Sequence, residues 1–149
     1  MIKMAATMIV PNLVWLGGTS DAQDIKAVKE NGIKAIINLR TTRLRGVEGC
    51  DMHWHPLIDW YGNHPEMFAD AVNKLIQLQK DKVPTLVHCH MGISRSPTVL
   101  ATWFALDTGI TFDEAIDVIR KMRPFIMPCE GLRDLAKAYL GEPTNAPAG

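Results

Sequence analysis

The chain has 149 residues, 47% of them apolar, which is enough to bury one substantial core and favours a single domain. Its 16 basic and 16 acidic residues cancel, so no global field attracts nucleic acid or an anionic membrane, and we expect neither as a partner. The N-terminal apolar stretch, residues 4–10, is shorter than a signal-peptide core with its flanks, so we expect neither export nor a membrane anchor.

The first half of the chain predicts strands and helices in alternation. Residues 33–39 are a nearly continuous apolar run, as expected of a strand covered on both faces in a parallel sheet. Ser20 or Asp21 can cap a first helix, and Asn31-Gly32 supplies its stop. The predicted elements are an edge strand or hairpin over 8–16, a helix over 21–31, strands over 33–39 and 52–58 around a polar loop over 40–49, and a loop over 59–65.

The second half is helical apart from one short strand. Pro97 suits the first turn of a helix, Thr111 or Asp113 can cap the next one, and Pro124 ends it. The predicted elements are a helix over 65–79, a strand over 85–88, helices over 97–106, from 111 or 113 to 122 and over 130–140, and a disordered tail over 141–149. This pattern predicts one α/β domain over 1–140, with a central, mostly parallel sheet flanked by helices.

The segment from His88 to Ser96 joins the predicted strand to the helix of Pro97 and reads His-Cys-His-Met-Gly-Ile-Ser-Arg-Ser. A loop in this position lies at the carboxyl end of the sheet, where α/β proteins bind ligands. Its backbone N–H groups and the helix N-terminus form a donor array suited to a phosphate dianion. We therefore expect phosphate to be bound by His90, Met91, Gly92, Ile93, Ser94 and Arg95, with glycine allowing the turn and arginine holding two oxygens.

Cys89 is the candidate nucleophile of this loop. The helix dipole, the loop amides and Arg95 all stabilise a thiolate, and such surroundings lower a cysteine pKa by several units. A thiolate is both a nucleophile and a leaving group, so in-line attack on a phosphomonoester predicts a cysteinyl-phosphate. Ser96 can donate a hydrogen bond to the sulfur and help it leave in the second step.

A departing alkoxide or phenoxide needs a proton, for which Asp59 is the candidate donor. It lies in a loop just after a predicted strand, and Trp60 and Tyr61 beside it are expected to desolvate the carboxyl and raise its pKa. The same residue then activates the water that hydrolyses the phosphoenzyme. Asp51 and Asp70 are the alternatives, since spacing alone does not place any of the three near Cys89.

The motif His-Cys-x-x-Gly-x-Ser-Arg-Ser with a proline-led helix closely resembles the signature of protein tyrosine phosphatases, especially the small dual-specificity group. Residues 33–39, Pro56-Leu57-Ile58-Asp59 and Arg123-Pro124 with the following turn are similar to other parts of that family. The resemblance implies an α/β fold and hydrolysis of phosphotyrosine, often with phosphoserine or phosphothreonine, in phosphorylated proteins, with no metal and no other cofactor. It also implies that Asp59 is the acid and that His88 orients the loop.

Two departures from the family pattern stand out. Where the family usually has Pro-Asn-x-Gly-Phe, this chain has Pro128-Cys129-Glu130-Gly131-Leu132, which leaves the contribution of that turn to water positioning open. The chain also has no long segment to build the deep pocket of strictly tyrosine-specific members. A shallow site favours dual specificity.

Several other interpretations stay open. His53-x-His55 and His88-x-His90 have the spacing of metal-ligand pairs, although a phosphate-binding loop already explains Cys89. Three widely spaced cysteines predict reduced thiols in a cytoplasmic protein, and Cys50 or Cys129 is a conceivable redox partner of Cys89. The residues Arg40, Arg43 and Arg45 form either a solvated loop or a basic loop that receives acidic substrates.

Rival functions also exist for the same loop. A rhodanese-like sulfurtransferase uses a cysteine before a helix but has no use for Asp59, and a phosphate-reading module without catalysis does not need Cys89. A phosphoinositide or an RNA 5′-triphosphate is a further substrate class. For those, Met91 and Ile93 lack the extra positive charge that we would expect.

Overall fold

The computed structural model, which describes residues 5–144, is built on one mixed sheet of five strands. The strands are β1 (Thr7–Val10), β2 (Val14–Gly17), β3 (Ala35–Asn38), β4 (Asp51–Trp54) and β5 (Thr85–His88). They lie in the order β1-β2-β5-β3-β4, with β1 antiparallel to β2 and the other three pairs parallel. The predicted hairpin and the predicted mostly parallel sheet are both confirmed.

Helices cover both faces of this sheet. They are α1 (Thr19–Ala22), α2 (Ile25–Glu30), α3 (Pro65–Lys80), α4 (Arg95–Thr108), α5 (Phe112–Met122) and α6 (Glu130–Tyr139). Alternate strand residues point to opposite faces. Leu16, Ile37 and Val87 therefore pack with α3 to α6, whereas Trp15, Ile36 and Leu86 pack with α1 and α2. No helix among residues 5–144 has the length and apolar character to cross a bilayer.

The predicted single helix over 21–31 is wrong, because the chain forms two short helices there. Asp24 ends the first turn and begins a new one by accepting a hydrogen bond from the Ala27 N–H (3.1 Å). Neither predicted cap, Ser20 or Asp21, is the N-cap residue, which is Gly18; the buried Asp21 side chain instead accepts from the Gly18 N–H from within the first turn (2.9 Å). Each of the two helices thus has its own aspartate at its N-terminus, Asp21 for α1 and Asp24 for α2.

The predicted strand over 52–58 is also too long. Beyond β4 the chain stays beside β3 through hydrogen bonds from His55 N–H to the Asn38 carbonyl and from Leu57 N–H to the Leu39 carbonyl. Ile58 then leaves the sheet, because its N–H donates to the Asn63 side chain (2.7 Å). The Asn63 amide also donates back to the Ile58 carbonyl (2.7 Å), so one side chain closes the loop that carries Asp59.

The division into a domain over 1–140 and a tail over 141–149 stays a prediction. Residues 141–144 contain no helix or strand, and residues 145–149 lie outside the described residues. The helix predicted to begin at Pro97 begins two residues earlier, at Arg95. Arg95 and Ser96 therefore belong to the first turn of α4 rather than to the loop before it.

Candidate active site

The segment Cys89–Ser94 forms a tight loop at the carboxyl end of the parallel strands. It follows β5, the central strand, and leads directly into α4. Hydrogen bonds fix its entry on both sides, from the Cys89 N–H to the Gly17 carbonyl (3.4 Å) and from the Leu39 N–H to the His88 carbonyl (2.9 Å). Cys89 is only 3% exposed. The thiol therefore lies at the base of the loop, as expected from its position after the strand.

The loop turns its carbonyl groups outward and leaves its N–H groups available. Within residues 5–144, the backbone N–H groups of residues 90–95 donate to no protein acceptor. The surrounding elements donate hydrogen bonds to the loop carbonyls instead. The Thr19 N–H donates to the His90 carbonyl (2.9 Å), and the Met127 N–H donates to the Ile93 carbonyl (2.7 Å). The Arg123 side chain donates to the Met91 and Gly92 carbonyls, and Thr98 Oγ1 donates to the Ser94 carbonyl (2.7 Å). Six adjacent donors at a helix N-terminus suit a phosphate dianion.

Arg123 supports the loop from below, a role that the sequence did not indicate. Its side chain is buried (1% exposed), and it donates through Nε to the Gly92 carbonyl (2.9 Å) and through Nη2 to the Met91 carbonyl (3.2 Å). Nη1 donates to the Ala5 carbonyl and to Thr7 Oγ1 on β1. Burial lowers the pKa of Arg123, while the charges of Asp21 and Cys89 oppose this effect. The sequence shows only an Arg-Pro turn 31 residues after the loop.

Gly92 is required by both conformation and space. Its φ is +69°, in the left-handed region that favours glycine. A Cβ on Gly92 would lie 2.5 Å from Arg123 Nη2 and 2.7 Å from the Gly17 carbonyl oxygen. The role predicted for this glycine in the turn therefore has a second component, because the loop packs too closely on its supports for any side chain.

The Cys89 sulfur lies 3.2 Å from Ser96 Oγ, and either atom is able to donate. Ser96 Oγ is also 3.3 Å from the Gly17 carbonyl, an acceptor only. When the sulfur is a thiol, the serine proton goes to the carbonyl and the thiol donates to the serine. When the sulfur is a thiolate, the hydroxyl turns its single proton toward the sulfur. The serine thus accommodates both states of Cys89 without leaving a buried donor unpaired.

His88 is fully buried beneath the loop. Its Nδ1 lies 3.1 Å from the Cys89 carbonyl, so Nδ1 carries the proton, and Nε2 is buried without a partner among the described residues. Burial lowers the pKa of His88 to about 4, a hydrogen bond to the Cys89 carbonyl opposes this effect, and the charges of Arg40 and Arg95 add to it. A neutral imidazole therefore supports the backbone at the nucleophile position.

Arg95 contacts the backbone of the segment after β4, which also carries Asp59. Arg95 Nη1 donates to the Leu57 carbonyl (3.1 Å), two residues before Asp59. The Asp59 carboxylate lies beside the Cys129 thiol, whose pKa is raised first by burial and further by this carboxylate. Cys129 N–H in turn donates to Ser94 Oγ in the loop (2.9 Å). These two contacts place Asp59 near the Cys89 loop through Cys129 and Ser94, while its role as the acid stays a prediction.

The expected burial of Asp59 by its aromatic neighbours is wrong. Trp60 and Tyr61 are 59% and 48% exposed, and Asp59 is exposed as well. The two rings stack edge to face on each other, with centroids 5.4 Å apart. The Trp60 backbone packs against Gly131 in α6, which turns the ring outward. The aromatic residues therefore form part of the surface beside the site.

Several sequence candidates lie away from the loop. Asp51 begins β4 and Cys50 precedes it, so both lie at the amino edge of the sheet, about 13 Å along the strands from Cys89. Cys50 Sγ donates to the Ile33 carbonyl (3.2 Å), which excludes it as a redox partner of Cys89 in this fold. Asp70 lies on α3, where its charge acts on His55. Asp59 is the best placed of the three acids.

A metal interpretation finds no support in the described part of the chain. No group of three histidine, cysteine or acidic side chains among residues 5–144 is arranged to hold a metal ion. His53 and His55 have lowered pKa values, chiefly through burial. All three cysteines are free thiols.

The fold and the loop together are typical of phosphatases in which a cysteine follows the central strand and lies at the base of a loop of backbone N–H donors. The family model described as "Dual specificity phosphatase, catalytic domain" matches residues 14–139. The chain therefore belongs to the dual specificity phosphatase family within the cysteine-dependent tyrosine phosphatases, which confirms the resemblance.

Relatives and solved structures agree with this family. The chain is 29% identical to "Dual specificity protein phosphatase Mpk3" of Drosophila melanogaster over 83% of its length and 31% of the relative. It is 29% identical to "Protein-tyrosine-phosphatase IBR5" of Arabidopsis thaliana, over 78% of its length and 44% of the relative. It thus spans less than half of either relative. Human DUSP28 shares the fold, with a TM-score of 0.80 at 17% identity over 89% of this chain and 94% of that one.

We expect the neutral state of His88 to appear in the pH dependence of stability. Because its pKa is about 4 in the fold against 6.5 unfolded, the unfolded chain binds the extra proton first as pH falls. Between pH 6.5 and 4 the native chain should lose about 3 kcal/mol of unfolding free energy from this residue alone. In urea titrations across that range, His88→Asn should flatten the dependence, whereas the exposed control His64→Asn should not. Equal slopes for native and His88→Asn chains would contradict this.

We expect Arg123→Lys to disturb the loop without removing the charge. One ammonium cannot reach the Met91 and Gly92 carbonyls together with β1, so buried acceptors lose their donors. The free energy of unfolding should fall by about 2 kcal/mol. Stabilisation by inorganic phosphate in thermal denaturation should weaken as well. The control Lys26→Arg, in an exposed pair with Glu30 on α2, should change neither quantity.

Proposed function

We propose that this protein is a phosphatase that hydrolyses phosphotyrosine, phosphoserine and phosphothreonine in proteins through a cysteinyl-phosphate on Cys89. The observation that carries the proposal is the arrangement of six free backbone donors around a buried thiol, with Arg95 on the same turn. Membership of the dual specificity phosphatase family and the protein phosphatase names of its relatives support the same reaction.

In the first step, the Cys89 thiolate attacks phosphorus in line with the bond to the leaving oxygen. The S–P bond forms, the P–O bond breaks, and Asp59 gives its proton to the departing oxygen. The N–H groups of residues 90–95 and Arg95 hold the three equatorial oxygens, whose charge is spread in the transition state. Within residues 5–144 the Arg95 side chain donates only through Nη1, to the Leu57 carbonyl, so its remaining N–H groups are available to phosphate.

In the second step, water hydrolyses the phosphoenzyme. The Asp59 carboxylate takes a proton from the attacking water, the O–P bond forms, and the S–P bond breaks. Ser96 Oγ, 3.2 Å from the sulfur, turns its proton toward the departing thiolate. Inorganic phosphate is released and Asp59 is protonated again for the next cycle. His88 and Arg123 act only on the loop backbone, so we assign them positioning roles.

A shallow site supports action on more than one phosphorylated residue. The loop that carries Asp59 is short, and Trp60 and Tyr61 stand exposed beside it rather than walling a deep slot. A phosphoserine side chain is shorter than phosphotyrosine and reaches Cys89 only where the rim is low. Family membership favours this reaction over sulfur transfer, and Met91 and Ile93 offer no added charge for a phosphoinositide or an RNA 5′-triphosphate.

The proposal includes a reaction without a metal. A loop of backbone donors with an arginine supplies the positive charge that a metal supplies in other phosphatases. A cytoplasmic location, expected from the free thiols, stays a prediction.

We expect Cys89→Ser to abolish turnover of p-nitrophenyl phosphate, with kcat lower by on the order of 10⁴-fold or more. An alcohol is mostly protonated at this site and forms no comparable nucleophile. The matched control Cys50→Ser changes a thiol at the opposite edge of the sheet and should retain full activity. Added EDTA should leave the native rate unchanged. Activity in Cys89→Ser, or its loss with EDTA, would overturn the mechanism.

We expect Asp59→Asn to lower kcat on phosphotyrosine peptides by roughly 10²–10⁴-fold, because the leaving phenoxide loses its proton donor. KM should change little, since the loop and Arg95 still bind phosphate. The loss should be smaller with p-nitrophenyl phosphate, whose leaving group needs less protonation. Asp51→Asn, at the far end of β4, is the control. An equal loss on both substrates would move the acid role to another residue.

A further inference from the structure

The segment after β3, residues Arg40 to Arg45, is an arginine loop beside the candidate active site. It carries Arg40, Arg43 and Arg45, and Arg43 and Arg45 are exposed. Within residues 5–144 none of the three forms an ion pair with a carboxylate. Three arginines with no carboxylate partner among the described residues stand out in a chain whose total charge is zero. Their field is therefore local to this corner of the molecule.

Two side chains from the sheet hold the arginine loop in place. The buried Asn38 side chain accepts from the Arg40 N–H (2.9 Å) and donates to the Thr42 carbonyl (3.0 Å). Trp54 Nε1 donates to the Arg40 carbonyl (2.9 Å), and the Arg43 guanidinium lies over the Trp54 ring, 5.9 Å from its centroid. The loop backbone and the Arg43 guanidinium are thus arranged before any ligand arrives, which lowers the entropy cost of binding.

The strand register places this loop relative to Cys89. Asn38 pairs with His88 on one side and with Trp54 on the other, so the three residues form one row across the sheet. Neighbouring strands are about 4.8 Å apart, so Trp54 lies about 10 Å from the residue that precedes the nucleophile. The charge of Arg40 acts on His88, which agrees with this closeness. An extended peptide covers about 10 Å in three residues.

We infer that the arginine loop is a second anion subsite, which selects phosphoproteins carrying an acidic side chain about three residues from the phosphorylated one. This inference rests on the proposed function and adds a substrate preference to it. Arg43, stacked on Trp54, and Arg45 provide the contact with the acidic side chain. Three arginines within one six-residue loop match a single carboxylate better than the extended surface of an anionic bilayer.

The test compares phosphotyrosine peptides that have Glu or Ala three residues before or after the phosphotyrosine. In the native chain, kcat/KM should be roughly fivefold higher for Glu than for Ala on at least one side. The double variant Arg43→Gln/Arg45→Gln should lose this advantage, and so should the native chain at high salt, because exposed charges are screened. Turnover of p-nitrophenyl phosphate should stay unchanged in the variant.

The matched control is Lys80→Gln/Lys82→Gln, which likewise removes two positive charges, at and just after the last turn of α3. That helix runs away from the candidate site, so the Glu advantage should persist. Equal rates for Glu and Ala peptides in the native chain would overturn the subsite, and so would an advantage that survives the double variant. The subsite would also be overturned if the double variant kept its preference for the Glu peptide and lost only its binding to phosphatidylserine vesicles.

Binding of the same peptides to Cys89→Ser, measured by titration calorimetry, separates the two proposals. The Glu peptide should bind roughly fivefold more tightly than the Ala peptide, because the subsite does not depend on turnover. Absence of hydrolysis by the native chain, with this binding difference intact, would count against the proposed function alone. Equal affinities would count against the subsite alone.

Discussion

The site depends on one constraint, which is that the loop after β5 must direct its carbonyl groups away from its centre. A tight turn has as many carbonyls as N–H groups, and a cavity lined by both would not attract an anion. Arg123 resolves this by donating to two adjacent carbonyls from the buried side while anchoring on β1. The absence of a Cβ at Gly92 lets the guanidinium approach so closely. Loop, glycine and arginine therefore form one structural unit.

Much of this could be predicted because the signals are local. The apolar run over 33–39, the strand over 85–88 and the cysteine, glycine and arginine of the following loop lie within short stretches whose spacing carries their meaning. The choice of Asp59 over Asp51 and Asp70 followed chiefly from the resemblance of Pro56-Leu57-Ile58-Asp59 to the family pattern, because spacing alone does not place any of the three near Cys89. The parallel sheet also distinguishes Asp59 from Asp51, once the bounds of β4 are known.

The parts that could not be predicted depend on side chains meeting across the fold. Nothing near Arg123 in sequence indicates that it reaches a loop 31 residues earlier. The break between α1 and α2 depends on which backbone N–H the side chains of Asp21 and Asp24 accept from, and aspartate is a favoured capping residue at either position. Trp60 was expected to bury Asp59, but its backbone packs against Gly131 and its ring faces solvent. Aromatic residues next to a carboxyl in sequence do not determine its solvation.

The hydrogen bond from Arg95 to the Leu57 carbonyl has a mechanical meaning. It connects the arginine that we propose to bind phosphate with the segment that carries the proposed proton donor, so a displacement of the guanidinium would also move the backbone two residues before Asp59. The position of the Arg95 guanidinium and the position of the backbone before Asp59 are therefore linked. Free-energy changes measured for substitutions at the two positions would therefore not add.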